Sequence, residues 1–579
     1  MNDNKSIKDA DRRKIIKDEK TIIRNLYKEI IKKTVLETEI LDLLAAISYS
    51  ENMCYKKENR QEFDEDFPDF SKLYSSYVEY KRNNLLMDFD DQIVFAHWIL
   101  KKEEDVADYY RAKYKYICVD EAQDTSKRQH EIIKILAEGN NLFMVGDEDQ
   151  SIYGFRAAYP KALLNFRYDY LNPYILRIEK NYRSLPEIVE KAQNFISKNH
   201  GRYNKNMTAE RSEYGSVIYE DVETREEQFY RLLEIARNAT SEVAFLYRDN
   251  ESAVVLVDLL LRNNIPFRLR KPEMNYLRSR IVFILKKYFN EALSNDSQQP
   301  LNELFDDFVN ENNLDAKSVE VLRILSHQET DVKKFLIRLE ELEKRLSENQ
   351  VSNRNVVLST IHSSKGAEYD SVYMLDVYDG RFPSSKPNRY SRSKDDANGE
   401  QEERRLFYVG MTRAKNNLTF FNIKDRYSQY IEEIFPEVKQ KRLEEERHKA
   451  AEEKERRLAE EARLREEQAK KEQERRELEK KEREQKIKEQ EATAVVRAQE
   501  MQKDAMRVAR GSDESYIKRK NEFKGKVTQG TRPIYDSSGY RWMICTICGE
   551  EKLELEFATC NAPVDINSGI CKECKGKNG

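Results

Sequence analysis

Four things are missing from this 579-residue chain, and each absence excludes something. No run of about 20 apolar residues occurs, and no apolar segment follows a charged amino terminus, which speaks against membrane spanning and secretion. Cysteine is sparse: of seven, Cys54 and Cys118 stand alone and five crowd between Cys545 and Cys574. That distribution suits a reducing, cytoplasmic setting with one metal site rather than a disulfide framework. An excess of one charge sign is lacking too, since 102 basic and 106 acidic residues leave a net charge of −4. The total announces no nucleic-acid binder, although association responds to the field in a cleft rather than to the sum. The last absence bears on chemistry. No G-x-x-x-x-G-K-[ST] loop, the segment that cradles nucleotide phosphates, occurs anywhere in the chain.

What is present is enough chain for several domains and cores. Residues 1–105 read as helical and polar, with helical apolar spacing in Ile22–Lys33 and Ile40–Ile47. Short apolar runs then alternate with helical patterns. Tyr116–Val119, Leu142–Gly146, Val243–Arg248, Val356–Thr360 and Ser371–Val377 read as buried parallel strands ending at turns or polar motifs. That is an α/β pattern with chemistry at the carboxyl ends of strands. A helical stretch over about 271–355 interrupts it as an inserted subdomain would. From about Gln440 to Arg510 the chain is Glu, Lys, Arg, Gln and Ala, unbroken by Gly or Pro. Its sparse leucines hold no clean heptad register, which favours a solvated single helix with i,i+4 ion pairs over a coiled coil. A polar linker follows over 511–538.

The motifs sit at strand ends. The first strand delivers Asp120 and Glu121 in VDEAQDTS; a carboxylate there can hold Mg²⁺ on phosphates, and its neighbour can polarise water. GDEDQSIYGFR follows the next strand and carries Gln150, Tyr153 and Phe155. Arg183 in NYRS can spread its guanidinium over terminal phosphate oxygens. STIHSSKGAEYD brings Thr360, His362 and Glu368, and YVGMTRAK brings Arg413. In isolation these residues have blander readings: Tyr153 and Phe155 as core, His362 as a structural histidine.

Taken together and in this order, these blocks resemble the motifs of superfamily 1 DNA helicases of the UvrD/Rep/PcrA type, over about Arg12–Glu437. GRFP (Gly380–Pro383) and the DFDD block in Met87–Leu100 match as well. The resemblance implies two RecA-like parallel-sheet domains with helical inserts. Residues 1–105 would be the first helical subdomain, 106–215 the remainder of the first RecA-like domain, and 216–437 the second, with its insert at 271–355. It implies ATP and Mg²⁺ as cofactors and single-stranded DNA as partner. Asp120, Glu121, Gln150, Arg183 and Arg413 would be catalytic, with Glu368 against the ribose. Tyr153 and Phe155 would couple the nucleotide site to DNA, and Thr360 and His362 would touch its backbone. Travel from 3′ to 5′, a role in DNA repair and a place at the nucleoid of a bacterium are further implications.

The missing phosphate loop sets the remaining expectations. The chain is one half of a split helicase completed by a second polypeptide, a truncated product, or a non-hydrolysing DNA-binding scaffold on a remnant fold. Loss of the loop's strand would also expose strand edges and an apolar face. In the tail, 539–579 after the charged helix at 438–510, Cys545, Cys548, Cys571 and Cys574 form two Cys-x₂-Cys pairs 22 residues apart. Four thiolates at that spacing suit a closed structural Zn²⁺ site, with Cys560 to spare. The basic and aromatic residues around them suit nucleic acid and protein docking equally.

Overall fold

The computed structural model describes residues 13–33, 35, 37–213, 215–270, 275–295, 298–347, 355–384 and 399–508, with short strands at 534–535, 541–544 and 551–553. The chain divides into two compact units, Met1–Glu445 and Glu446–Gly579.

The first unit opens with helices that include Glu19–Ile31, Glu37–Asn52, Phe70–Asn83 and Phe89–Lys102. Strands β1 (Lys14–Ile15) and β2 (Leu86–Met87) pair in parallel beside them. The DFDD block starts the last helix by a reciprocal cap: Asp88 accepts from the Asp91 backbone N–H at 2.7 Å, and Asp91 accepts from that of Asp88 at 3.0 Å. Lys81 bridges both carboxylates at 2.6 and 2.8 Å, which is why Asp88 can be buried. Ile23, Leu43, Ile47, Phe63, Phe70 and Tyr77 form the core of these helices.

β3 (Tyr116–Val119) and β4 (Asn141–Met144) make a two-stranded parallel sheet, with Cys118 opposite Phe143. The connecting helix, Lys127–Ala137, is opened by a capping box between Ser126 and Gln129. Both strands alternate between exposed and half-buried residues: Tyr116 is 79% and Phe143 61% exposed, with Cys118 and Val145 on the same open face. The expectation that these strands are buried on both faces is therefore corrected. β5 (Lys180–Asn181) pairs in parallel with β6 (Thr208–Ala209).

A six-stranded sheet follows, of β7 (Ser216–Val222), β8 (Val243–Tyr247), β9 (Arg268–Arg270), β10 (Val356–Thr360), β11 (Tyr369–Met374) and β12 (Ala414–Ile423). Its order is β7-β12-β11-β8-β10-β9 and every pair is parallel. β11 begins two residues before the run the sequence suggested. Along β8, Val243, Phe245 and Tyr247 join one core with Phe229 and Leu256, while Ala244 and Leu246 join another with Ile188, Phe195 and Leu406. Helices thus cover both faces, as a parallel sheet requires. Between β9 and β10 lie four helices, Arg280–Ser294, Leu301–Glu311, Ala316–His327 and Val332–Ser347, whose Phe289, Phe305, Phe308 and Phe335 extend the first of these cores. Beyond the end of β11, buried Asp376 takes two hydrogen bonds from Arg225, at 2.9 and 2.6 Å, and a third from Gln228.

A single helix runs from Pro436 to Val508, 73 residues or about 110 Å at the usual rise. Leu443, Leu458, Leu464 and Leu478 are exposed along it. Glu453–Arg457, Glu467–Lys471 and Glu472–Arg476 pair across one turn with the acid first, the favoured orientation. β13 (Ile534–Tyr535), β14 (Arg541–Ile544) and β15 (Glu551–Leu553) form an antiparallel sheet. Cys545 and Cys548 fall in sequence between β14 and β15, and with Cys571, Cys574 and most of the expected linker they lie outside the described residues. Among the described residues, no helix is long and apolar enough to cross a membrane.

Candidate active site

The site is built where β3 and β4 end and residues of the six-stranded sheet face them. Asp120 and Glu121 leave β3 exposed to solvent. The Asp120 carboxylate accepts from the Glu121 backbone N–H at 2.8 Å. Glu121 has φ +49°, a left-handed conformation that costs a non-glycine residue about 1–3 kcal/mol and concentrates at functional sites. Buried Gln123 ties the two strand ends together: its amide donates to Glu121 at 2.5 Å and its carbonyl oxygen accepts from the Asp147 N–H at 3.0 Å. Gly146 permits this approach, because a Cβ there would lie 2.6 Å from that oxygen.

After β4, Asp147, Glu148 and Asp149 bring three carboxylates within 4.8 Å of one another. They are already compensated. Lys205 reaches all three at 2.5, 3.0 and 2.9 Å, and Arg202 forks onto Asp149 at 2.8 and 2.7 Å. Burial opposes the charge on Lys205, but the three acids outweigh it and hold its pKa above the ordinary value. This cluster fastens the β4 loop and carries no free site.

Gln150 stands at the centre of the cleft. Its amide donates to Asp147 at 2.7 Å, and its side-chain oxygen lies 3.4 Å from the Arg413 guanidinium. Arg413 is 1% exposed and donates to the carbonyls of Val409 and Ala367 and to the Thr412 hydroxyl. Burial, reinforced by nearby Arg183, pulls its pKa down to about 10. Among the described residues the hydrogen-bond partners of this buried cation are neutral oxygens, so an anion arriving beside Gln150 would be strongly favoured.

Arg183 is aimed by Asn181, whose side-chain oxygen accepts from the backbone N–H groups of Arg183 and Ser184 at 2.9 Å each. Its guanidinium donates to Glu368 at 2.9 Å and to the Thr412 carbonyl at 3.3 Å. Lys415 holds the other Glu368 oxygen at 3.0 Å. Hydrogen bonds from Lys415 and then Arg183 keep the Glu368 carboxyl below its usual range.

Tyr153, Phe155 and His362 form an aromatic cluster with centroids 5.7 to 6.2 Å apart, and the Tyr153 hydroxyl donates to the His362 carbonyl at 3.2 Å. The Arg156 guanidinium lies 5.5 and 5.4 Å from the Tyr153 and Phe155 ring centroids. Gly154 between the rings donates its N–H to Glu402 at 3.0 Å, and a Cβ there would meet the same carboxylate at 2.6 Å. Desolvation, aided by Arg248 and Arg156, pushes His362 down to about 3, so its ring is neutral at ordinary pH. Thr360 spends its hydroxyl as a helix cap, accepting from the Ser363 N–H at 3.2 Å.

The candidate residues therefore fall into two groups that meet at Gln150. Lys365 lies inside the STIHSSKGAEYD block but is not in the set of site residues expected from the sequence. Its ammonium donates to Asp124 and, at 2.8 Å, to the Gln150 carbonyl. Asp124, Gln123 and Glu402, inside or beside the quoted motifs, and Lys205, well beyond NYRS, are also absent from that set, because no pattern announces their partners. Asp120 and Glu121 supply exposed oxygen donors, and one oxygen of Asp124 is buried with no hydrogen-bond partner. That donor set fits Mg²⁺, a hard cation that takes one or two carboxylates and keeps water.

Residues 1–171 match the family described as UvrD/REP helicase N-terminal domain, and residues 176–299 and 285–425 match the UvrD-like helicase C-terminal domain. The chain is 28% identical over 511 residues to the ATP-dependent DNA helicase PcrA of Staphylococcus epidermidis, covering 70% of each. It is 27% identical over 473 residues to the ATP-dependent DNA helicase Rep of Buchnera aphidicola, covering 63% of this chain and 70% of that one. Against YjcD of Bacillus subtilis the figures are 26% over 484 residues, 69% of this chain and 63% of YjcD. The two matched domains meet where the two sheets face each other across Gln150, and the chain belongs to the UvrD/Rep/PcrA-like helicases.

Proposed function

We propose that this chain works as an ATP-dependent 3′-to-5′ DNA helicase or translocase of the UvrD type, built on two RecA-like domains. Asp120 would hold Mg²⁺ and Glu121 orient the attacking water. Gln150 would sense the terminal phosphate, and Arg183 and Arg413 would neutralise it. Glu368 would take the ribose once Arg183 releases it for the phosphate. Tyr153 and Phe155 would offer faces for bases, at about 1–3 kcal/mol per stacked base whatever the sequence. Neutral His362 and the Thr360 cap would shape that groove rather than supply charge to the DNA backbone.

The observation that carries this reading is Arg413: a buried cation whose hydrogen-bond partners among the described residues are neutral oxygens, 3.4 Å from Gln150 and beside Arg183. Two arginines from different elements converging on one anion give a cleft that closes on a triphosphate, which couples hydrolysis to movement. The 579 residues hold no phosphate-cradling loop, and we propose that a further segment outside them supplies it. The open face of Tyr116, Cys118, Phe143 and Val145 supports completion by a further α/β segment, since parallel sheets are stable when both faces are covered. The tail would bind Zn²⁺ through Cys545, Cys548, Cys571 and Cys574 and act as a targeting arm on the long helix.

The test is ATP hydrolysis by the full chain isolated from its own cells with its bound polypeptides, with and without single-stranded DNA. Arg413→Ala should lower DNA-stimulated turnover by about 10³-fold or more, as for other phosphate-neutralising arginines. Unchanged turnover would overturn the assignment.

A further inference from the structure

Lys365 lies in the Ser363–Glu368 segment after β10, yet its ammonium is buried against the loop that follows β3. The side chain is 8% exposed. It pairs with Asp124, lies 3.6 Å from Glu121, donates to the Gln150 carbonyl at 2.8 Å, and sits 5.4 Å from the Tyr153 ring centroid. The loop after β3 thus presents Asp120, Glu121 and Asp124, and Lys365 is the cation seated on two of them. Asp124 is committed through one oxygen only; the other is buried without a partner. A divalent ion on these carboxylates would stand a few ångströms from the ammonium and repel it.

We propose that Lys365 is a cross-cleft stand-in for the magnesium ion: it neutralises Asp124 and Glu121 while no metal is bound, and metal binding expels it. The inference rests on the proposed assignment of Asp120 to the metal and of Glu121 to the attacking water beside it. It adds that lysine and metal are alternative occupants, so metal binding is felt in the second sheet before any phosphate chemistry. Expulsion withdraws the lysine from the Gln150 carbonyl and the Tyr153 ring together, which links the carboxylates to the aromatic cluster through one side chain.

Two measurements on the full chain test this, with Mn²⁺ as the metal probe. Lys365→Met should tighten Mn²⁺ binding, followed by electron paramagnetic resonance, by about tenfold or more, the effect of removing the unit charge that competes with the metal for these carboxylates. In the wild-type chain, reductive methylation of Lys365, read by mass spectrometry, should be slow without metal and fast at saturating Mn²⁺. Asp124→Asn should make it fast without metal. Mn²⁺ affinity lost in Asp120→Ala but unchanged in Lys365→Met would overturn the stand-in and leave the site assignment intact. Mn²⁺ binding that leaves Lys365 protected would do the same. No Asp120-dependent Mn²⁺ binding in any variant, with Lys365 freed by Asp124→Asn, would overturn both.

Discussion

The β3–β4 sheet and the six-stranded sheet of this protein are made of similar residues and have opposite surroundings. β8 is buried along its whole length, with helices on both faces, whereas β3 and β4 leave Tyr116 and Phe143 mostly in solvent. The covered sheet supplies rigidity, and from its side come Glu368, Arg413 and Lys365. The half-covered sheet supplies Asp120, Glu121 and Gln150. The ion pair that crosses between them, Lys365 to Asp124, therefore does positional work that a completed first sheet would share.

The contrast can be broken most strongly from the covered side. Arg225→Ala strands Asp376, which is buried beside β11, and should cost about 3–5 kcal/mol of stability in a urea titration. Phe245→Ala, which opens a cavity in β8, should cost about 3–5 kcal/mol as well. A pH titration sharpens the comparison at the cleft itself. His362 has its pKa lowered from 6.5 to about 3, so between those values the unfolded chain takes a proton that the folded chain refuses. Stability should fall as pH drops through that window, and His362→Phe should flatten the fall, as read from unfolding midpoints at about pH 7 and pH 5. Ser126→Ala, which removes the cap of the helix linking β3 to β4, should cost about 1 kcal/mol. Least of all, Phe143→Ala should change the stability of the isolated chain by less than about 0.5 kcal/mol, because most of that residue is in solvent. A large loss there would mean that the open face is occupied in solution.

Strand ends were legible because the motifs sit on them. YICV ends where Asp120 begins, and Val356–Thr360 ends where His362 and Lys365 begin, so apolar runs and polar motifs marked each other. The pairing across the cleft was not legible. Lys365 lies more than 200 residues from Asp124, and no spacing rule connects them. The exposed face of β3 and β4 escaped as well, since YICV and LFM are as apolar as buried strands and burial is set by what packs on them. The part played by the acidic run Asp147–Asp149 was not legible either; Lys205 and Arg202, about 55 residues on, make it a fastening.

The central claim is that the carboxylates after β3 and the arginines facing them form a nucleotide-hydrolysing site completed by a further segment. The most direct test compares ATP hydrolysis by the recombinant chain alone with hydrolysis by the chain isolated from its own cells with its bound polypeptides. The account predicts DNA-stimulated turnover only in the second preparation, and its loss in Asp120→Ala. Turnover in neither preparation, or turnover that survives Asp120→Ala, would contradict it.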